Sequence, residues 1–185
     1  MSLPPTEHVL LSAGDILLRG YTPADLPALL AAFADQDITR LNPGPAGADT
    51  SAAAATWMER RNDWSGGDHA SLAVADPAGQ LLGSVSLHEF DPEQGDAEAG
   101  YWIAPWARGR GTGAVVLSTA ARFAFTDLQL HRLHLYHAVE NVRSCRVAAA
   151  AGFMLEGRLR QSHRYADGDY HDEHLHARLA TDPPK

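Results

Sequence analysis

The chain has 185 residues, 45% of them hydrophobic and 21% charged, the profile of one globular domain rather than a disordered chain. At this length about 70% of the unfolded surface can leave water, so neither disulfides nor metals are needed for folding. The formal charge of −8 disfavours a protein whose main work is gripping nucleic-acid phosphates.

In chain order, Val9 to Leu18 reads as a short hairpin or bent strand broken at Ala13-Gly14-Asp15. Thr22-Pro23 opens a helix whose apolar face is Leu26, Leu29, Leu30 and Phe33. Asn42 to Asp49, with two prolines and two glycines, is a loop. A second helix runs from Thr50 or Ser51 to about Trp64, packing through Ala52 to Ala55, Trp57 and Met58. Ser71 to Ala75 and Leu81 to Phe90 form a hairpin around Asp76-Pro77-Ala78-Gly79, and Ala97 to Ile103 is a further strand. Gly111 to Phe125 is a helix with Val115, Val116, Ala120 and Phe123 towards a core. Arg132 to Val139 is a strand, and Asn141 to Ala151 is a helix stopped by Gly152. Phe153 to Tyr165 and Tyr170 to Leu179 are strands joined around an Asp-Gly turn. The fold class is therefore α+β, a single domain over 1–185 with mostly antiparallel strands.

Cys145 is the only cysteine, so no intrachain disulfide can form. Met1 to His8 lacks a signal-peptide pattern, and no apolar run approaches the roughly 18 residues of a membrane span. A cytoplasmic protein without membrane or nucleic-acid partners is expected, as a monomer or homodimer.

The most informative stretch is Arg108-Gly109-Arg110-Gly111-Thr112-Gly113, between a strand and an apolar helix. Backbone N–H groups bared by glycine, a helix N-terminus and two arginines suit a phosphate or pyrophosphate. Arginine supplies 14 of the 15 basic residues and Lys185 the last, so a P-loop with its lysine is absent. Gly109, Gly111 and Ala114 also fit the Gly-x-Gly-x-x-Ala form of a dinucleotide-binding turn. Pro105 to Arg108 separate those glycines from the strand, which counts against that reading, and an oxidoreductase stays as the remote alternative.

Arg108-x-x-Gly111-x-Gly113 resembles the acetyl-CoA pyrophosphate loop of the GNAT superfamily of N-acetyltransferases. Ala97-Glu-Ala-Gly-Tyr-Trp-Ile-Ala-Pro105, Glu140-Asn-x-x-Ser144 and Ala151-Gly-Phe-Met-Leu-Glu-Gly157 resemble the branch that includes ribosomal-protein-alanine acetyltransferases. The resemblance implies helices on both faces of a mixed sheet and a splayed parallel pair, Ala97 to Ile103 beside Arg132 to Val139, holding pantetheine. It implies direct transfer of acetyl to a primary amine, on a protein N-terminus or a small molecule. Backbone groups of Trp102, Ile103 and Ala104 would hold the pantetheine arm, and Arg108 to Gly113 the pyrophosphate. Asn141 would contact pantetheine or cap the following helix. Ser144 would support the departing thiolate.

Glu98 is the first candidate for the general base and His163 the second. Gln161-Ser162-His163 departs from the family pattern, which carries a glutamate there, and Ala148 to Ala151 replace residues usually charged. An acyl-CoA-binding module without transferase activity is the alternative within the same fold.

The ten histidines include His131, His134 and His137 at steps of three, and His171, His174 and His176 near the end. On a strand, steps of three alternate between faces, so only His174 and His176 share one. No metal site is expected. Cys145 reads as a small packing residue.

Overall fold

The computed structural model describes residues 9–41 and 48–183. Met1 to His8, Lys185 and most of the loop read at Asn42 to Asp49 lie outside them. The first segment resolves as a hairpin, β1 (Leu11–Ala13) and β2 (Ile16–Arg19), turning at Gly14 with φ +59°. Pro23–Asp25 form a 3-10 turn leading into α1 (Leu26–Phe33). Asp25 fixes this entry: its buried carboxylate accepts the Thr22 N–H at 2.8 Å and both ends of the Arg19 guanidinium at 2.7 and 2.9 Å.

A short helix absent from the sequence reading follows, α2 (Gln36–Leu41), started by Asp35, which accepts the Ile38 N–H. In α3 (Ser51–Asn62), Thr50 is the N-cap and accepts the Ala53 N–H. Then come β3 (His69–Ala75), β4 (Leu81–Asp91), β5 (Asp96–Ile103), α4 (Thr112–Thr126) and β6 (Arg132–Ala138). The chain closes with α5 (Val142–Ala150), β7 (Met154–Arg164) and β8 (Tyr170–Leu179).

The eight strands form one sheet in the order β1-β2-β3-β4-β5-β6-β8-β7. Every pair is antiparallel except β5 and β6. A doubly wound dinucleotide fold needs repeated parallel strands, so the oxidoreductase alternative is excluded by topology. The parallel ladder holds for three pairs, Asp96↔Arg132 to Glu98↔His134, and then stops. Beyond it the two strands diverge, which is the expected splay.

Helices cover both faces. Val116, Leu117, Phe123 and Phe153 pack with Val85, Leu87, Leu133 and Leu135 beneath α4 and α5. On the opposite face Phe33, Trp57 and Trp102 meet edge to face at 5.3 and 5.6 Å between ring centroids. Val115, expected towards the core, is instead exposed. Residues 116, 120 and 123 and residues 117, 121 and 124 form the two buried rows of α4, and Val115 falls outside them.

Candidate active site

The glycine loop joins β5 to α4. Gly109 and Gly111 have φ of +77° and +78°, a conformation that glycine adopts without Cβ strain, and a Cβ on either would enter open space. Among the described residues, no protein acceptor meets the N–H groups of 109 to 113; the first satisfied donor is the Ala114 N–H, on Gly111 O. Five adjacent donors thus lack a protein acceptor at the N-terminus of a 15-residue helix. Gly113 has a second task. A Cβ there would sit 3.1 Å from Val147, so glycine lets α4 approach α5.

The two arginines differ. Arg108 turns its guanidinium inward, with Nη2 2.7 Å from Asp35 Oδ1 and Nε 3.0 Å from Ile103 O. It braces the loop against the end of α1, so its side chain is not a free phosphate donor as the sequence suggested. Asp35 is the cause, and the same guanidinium holds the Asp35 carboxyl below its ordinary range. Arg110 is exposed and makes no hydrogen bond to the protein among the described residues.

The splay opens a cavity of about 560 Å³ that is lined from both faces of β5. Glu98 and Trp102 reach it from the α3 side and Tyr101 from the α5 side, as strand alternation requires. The backbone alternates as well. The Ala104 N–H donates to Leu82 O at 2.8 Å, which in an antiparallel ladder turns the backbone groups of Trp102 and Gly100 to β4 as well. Those of Ala99, Tyr101 and Ile103 then face the splay. Of the expected trio Trp102, Ile103 and Ala104, Ile103 alone keeps that orientation.

Glu98 sits in the cavity with its side chain 21% exposed. Burial, with the charges of Glu89 and Glu173, pushes its carboxyl up to about 7. His88 Nε2 lies 3.6 Å from Glu98 Oε1, but burial pulls the imidazole down, so near neutral pH the contact is no ion pair.

On the other side of the opening, Ser144 Oγ and the Tyr101 hydroxyl are 3.0 Å apart. Burial raises the Tyr101 phenol to about 12, so it stays protonated and able to donate. Asn141 lines the cavity and caps α5, its Oδ1 accepting the Ser144 N–H at 3.2 Å. His163 also lines it, edge to face with Tyr165 at 4.8 Å.

Just before His163, β7 bulges. Three residues, Arg160 to Ser162, stand opposite Asp172 alone, and Gln161 takes φ +50°. The bulge brings the Ser162 hydroxyl to 2.9 Å from Glu173 Oε2, while the Tyr165 hydroxyl binds Oε1 at 2.8 Å. Glu173 is thus a buried carboxylate held at the cavity wall, and Tyr101 is its neutral counterpart across the cleft. Neither was picked out from sequence, because each depends on partners far along the chain.

The GNAT acetyltransferase domain model matches residues 15–154. The chain belongs to the GNAT acetyltransferase family. It is similar to YdaF of Bacillus subtilis, 37% identical over 94 residues, which are 51% of this chain and 51% of that one. Spermidine N(1)-acetyltransferase of Vibrio cholerae is 33% identical over 101 residues, 55% of this chain and 58% of the relative. These matches span about half the length of either relative. Among solved structures, Mycobacterium smegmatis RimJ in complex with CoA-disulfide superposes with a TM-score of 0.84 at 23% identity, covering 96% of this chain and 88% of that one.

The GNAT fold gathers Glu98, Trp102, Asn141, Ser144 and His163 around one cavity, and sets Arg108 to Gly113 in the loop at the start of α4. His137 lies in β6 and also lines the cavity, and His137 and His176 are 5% and 2% exposed because β6 and β8 pair and bring them under α5.

Proposed function

We propose that this GNAT protein is an acetyl-CoA-dependent N-acetyltransferase that moves acetyl directly to a primary amine on a cationic acceptor. The observation that carries it is Glu98, a carboxyl tuned to about 7 in a cavity that also reaches Ser144. A base of that pKa is half ionised near neutrality, where proton abstraction is most effective.

The chain's residues fit the cofactor. Five unaccepted N–H groups and two open glycine positions in the 109–113 loop suit a pyrophosphate, with Arg110 adding charge. The splay-facing backbone of Ala99, Tyr101 and Ile103 suits an amide-bearing arm. When bound, acetyl-CoA supplies a thioester as the acetyl donor. Glu98 takes a proton from the attacking amine, directly or through water, as the new C–N bond replaces C–S. Ser144, backed by the Tyr101 hydroxyl, donates a hydrogen bond to the departing thiolate, which takes its proton from solvent. His163, which lines the same cavity, is the second candidate for that base. Cys145 follows Ser144 on the helix, and direct transfer needs no acyl-enzyme on it.

Acceptor chemistry follows from charge. Glu89, Glu98 and Glu173 line the cavity against a single arginine, Arg61. That excess favours a polyamine or another cationic amine; the similarity to the Vibrio spermidine N(1)-acetyltransferase supports the same class. A protein N-terminus with basic neighbours is the second reading, favoured by the resemblance to ribosomal-protein acetyltransferases.

The test is thiol release from acetyl-CoA against spermidine, spermine, aminoglycosides and basic or acidic N-terminal peptides. Turnover is expected with the cationic amines and not with acidic peptides. Thermal stabilisation by acetyl-CoA without thiol release across the panel would establish the inactive binding module instead. No stabilisation at saturating acetyl-CoA would overturn the cofactor assignment.

A further inference from the structure

Beneath α5, on the face away from Glu98, three imidazoles and the only thiol of the chain converge. The antiparallel register sets His137 opposite His174 and Leu135 opposite His176, so alternation puts all three imidazoles on one face of the sheet. Cys145 on α5 completes the group. One ligand atom from each of His137, Cys145, His174 and His176 lies within 4.8 Å of all the others. The His137 ring stacks on His176 with centroids 5.1 Å apart and meets His174 edge to face at 5.4 Å.

Buried imidazole nitrogens are normally hydrogen-bonded. Here His137 Nε2, His174 Nδ1 and both nitrogens of His176 are buried with no hydrogen-bond partner. His137 is already oriented. Its Nδ1 lies 2.8 Å from Ala138 O, a group that can only accept, so Nδ1 carries the proton and Nε2 presents a lone pair. A carbonyl bonded to the far nitrogen is the arrangement that orients metal-ligating histidines. Burial and the neighbouring imidazoles lower His137 and His176, which favours the neutral, ligating form.

We propose that His137, His174, His176 and Cys145 form a binding site for one first-row divalent transition-metal ion, zinc being the best match. Three imidazoles and a thiolate are a borderline-soft set that calcium and magnesium do not favour. Tetrahedral zinc places such atoms about 3.3 to 3.7 Å apart, so small rotamer adjustments contract the observed cluster onto an ion. On binding, the Cys145 thiol loses its proton to solvent and the thiolate donates to the metal. Four protein ligands leave no open position, so the ion is structural and fastens α5 to β6 and β8. Ser144 and Asn141 are carried by the same helix and its cap, and occupancy therefore fixes their position. The site stands independently of the acetyl-transfer reading.

The test uses the untagged full chain, stripped with a chelator and titrated with Co²⁺ and then Zn²⁺. One equivalent of cobalt is expected to give tetrahedral visible bands and a thiolate-to-cobalt charge-transfer band in the near ultraviolet, both abolished by one equivalent of zinc. Cys145→Ser should remove the charge-transfer band, and both it and His176→Gln should weaken zinc binding by about tenfold or more. Circular dichroism of each metal-free variant shows whether it folds, and the wild-type spectrum needs no variant. Absence of stoichiometric uptake, a cobalt spectrum without the thiolate band, or a band that survives in Cys145→Ser would each overturn the site.

Discussion

Replacing Glu98 with glutamine tests the proposed base in two ways at once. The wild-type carboxyl rises from the ordinary 4.5 to about 7, chiefly because burial disfavours its charged form. Below pH 4.5 the group is protonated in both folded and unfolded chains and has no effect on stability. Between 4.5 and about 7 the unfolded chain gives up the proton while the folded one keeps it, so stability falls as pH rises and then levels off. The full cost approaches about 3 kcal/mol at 1.36 kcal/mol per pKa unit, and screening of the partly exposed side chain reduces it to about 1–2 kcal/mol. Glutamine has no such cost. Glu98→Gln should therefore be more stable than wild type at pH 8 and equal to it at pH 4, measured by urea denaturation. In the same variant kcat/KM for the amine should fall by about 10² to 10³ at pH 7.5, with acetyl-CoA affinity nearly unchanged. The wild-type rate should climb through about pH 7 as Glu98 ionises, and the variant should lose that limb. A variant within a few-fold of wild-type rate that keeps the limb would refute Glu98 as base and move the role to His163.

Ser144→Ala and Tyr101→Phe should each lower kcat by about 10- to 100-fold with little change in acceptor KM, and the double variant should be no worse than the poorer single one; additive losses in steady-state assays would separate the two hydroxyls. Gly111→Val puts a branched side chain at φ +78° and walls off the N–H cradle, so coenzyme A affinity measured by calorimetry should fall by about tenfold or more; unchanged affinity would refute the loop assignment. Glu173→Gln should raise KM for a cationic amine by about fivefold and leave the acetyl-CoA KM alone, since removing one carboxylate weakens a charge-assisted contact; an equal effect on a neutral amine would refute the charge argument. Arg19→Ala leaves the Asp25 carboxylate, 1% exposed, without its guanidinium and should cost about 3 kcal/mol in urea denaturation; a loss below about 1 kcal/mol would show the pair to be dispensable.

What was legible in the sequence was local. Alternation and turn residues located the strands of the sheet within about two residues, and the glycines at 109 and 111 marked a loop whose positive φ values now justify them. Asn141 was readable as a cap for the same reason, since a cap bonds within three residues. Contacts between distant segments were not legible. Arg108 is 73 residues from Asp35, so nothing near the glycine loop revealed that its guanidinium was engaged. Tyr101 and Ser144 are 43 residues apart, and their pairing depends on where α5 docks. The histidines carry the same lesson. Within each strand alternation was read correctly, but the register of β6 against β8 put His137 beside His174, and that register is not written in either strand alone. The helix α2 was missed because its six residues are too few for a periodic pattern.

The negative chain and the anionic cofactor proposed for it are reconciled by where the charges lie. A net charge of −8 spread over a surface is screened within about 8 Å at physiological salt, so it exerts little force on a phosphate seated in a loop. What acts there is local: unaccepted N–H groups, a helix dipole and Arg110. Arg108, tied to Asp35, holds the loop's shape and leaves affinity to the backbone. Glu89, Glu98 and Glu173 instead line the cavity, where a cationic amine would enter. The proposed site therefore has a positive end set by backbone geometry and a negative end set by side chains, joined through the splay of β5 and β6. Raising salt should accordingly weaken the cationic acceptor more than the cofactor, because the acceptor end depends on side-chain charge and the other on preorganised hydrogen bonds. An acetyl-CoA KM that rises with salt as steeply as the amine KM would show that long-range charge governs both ends.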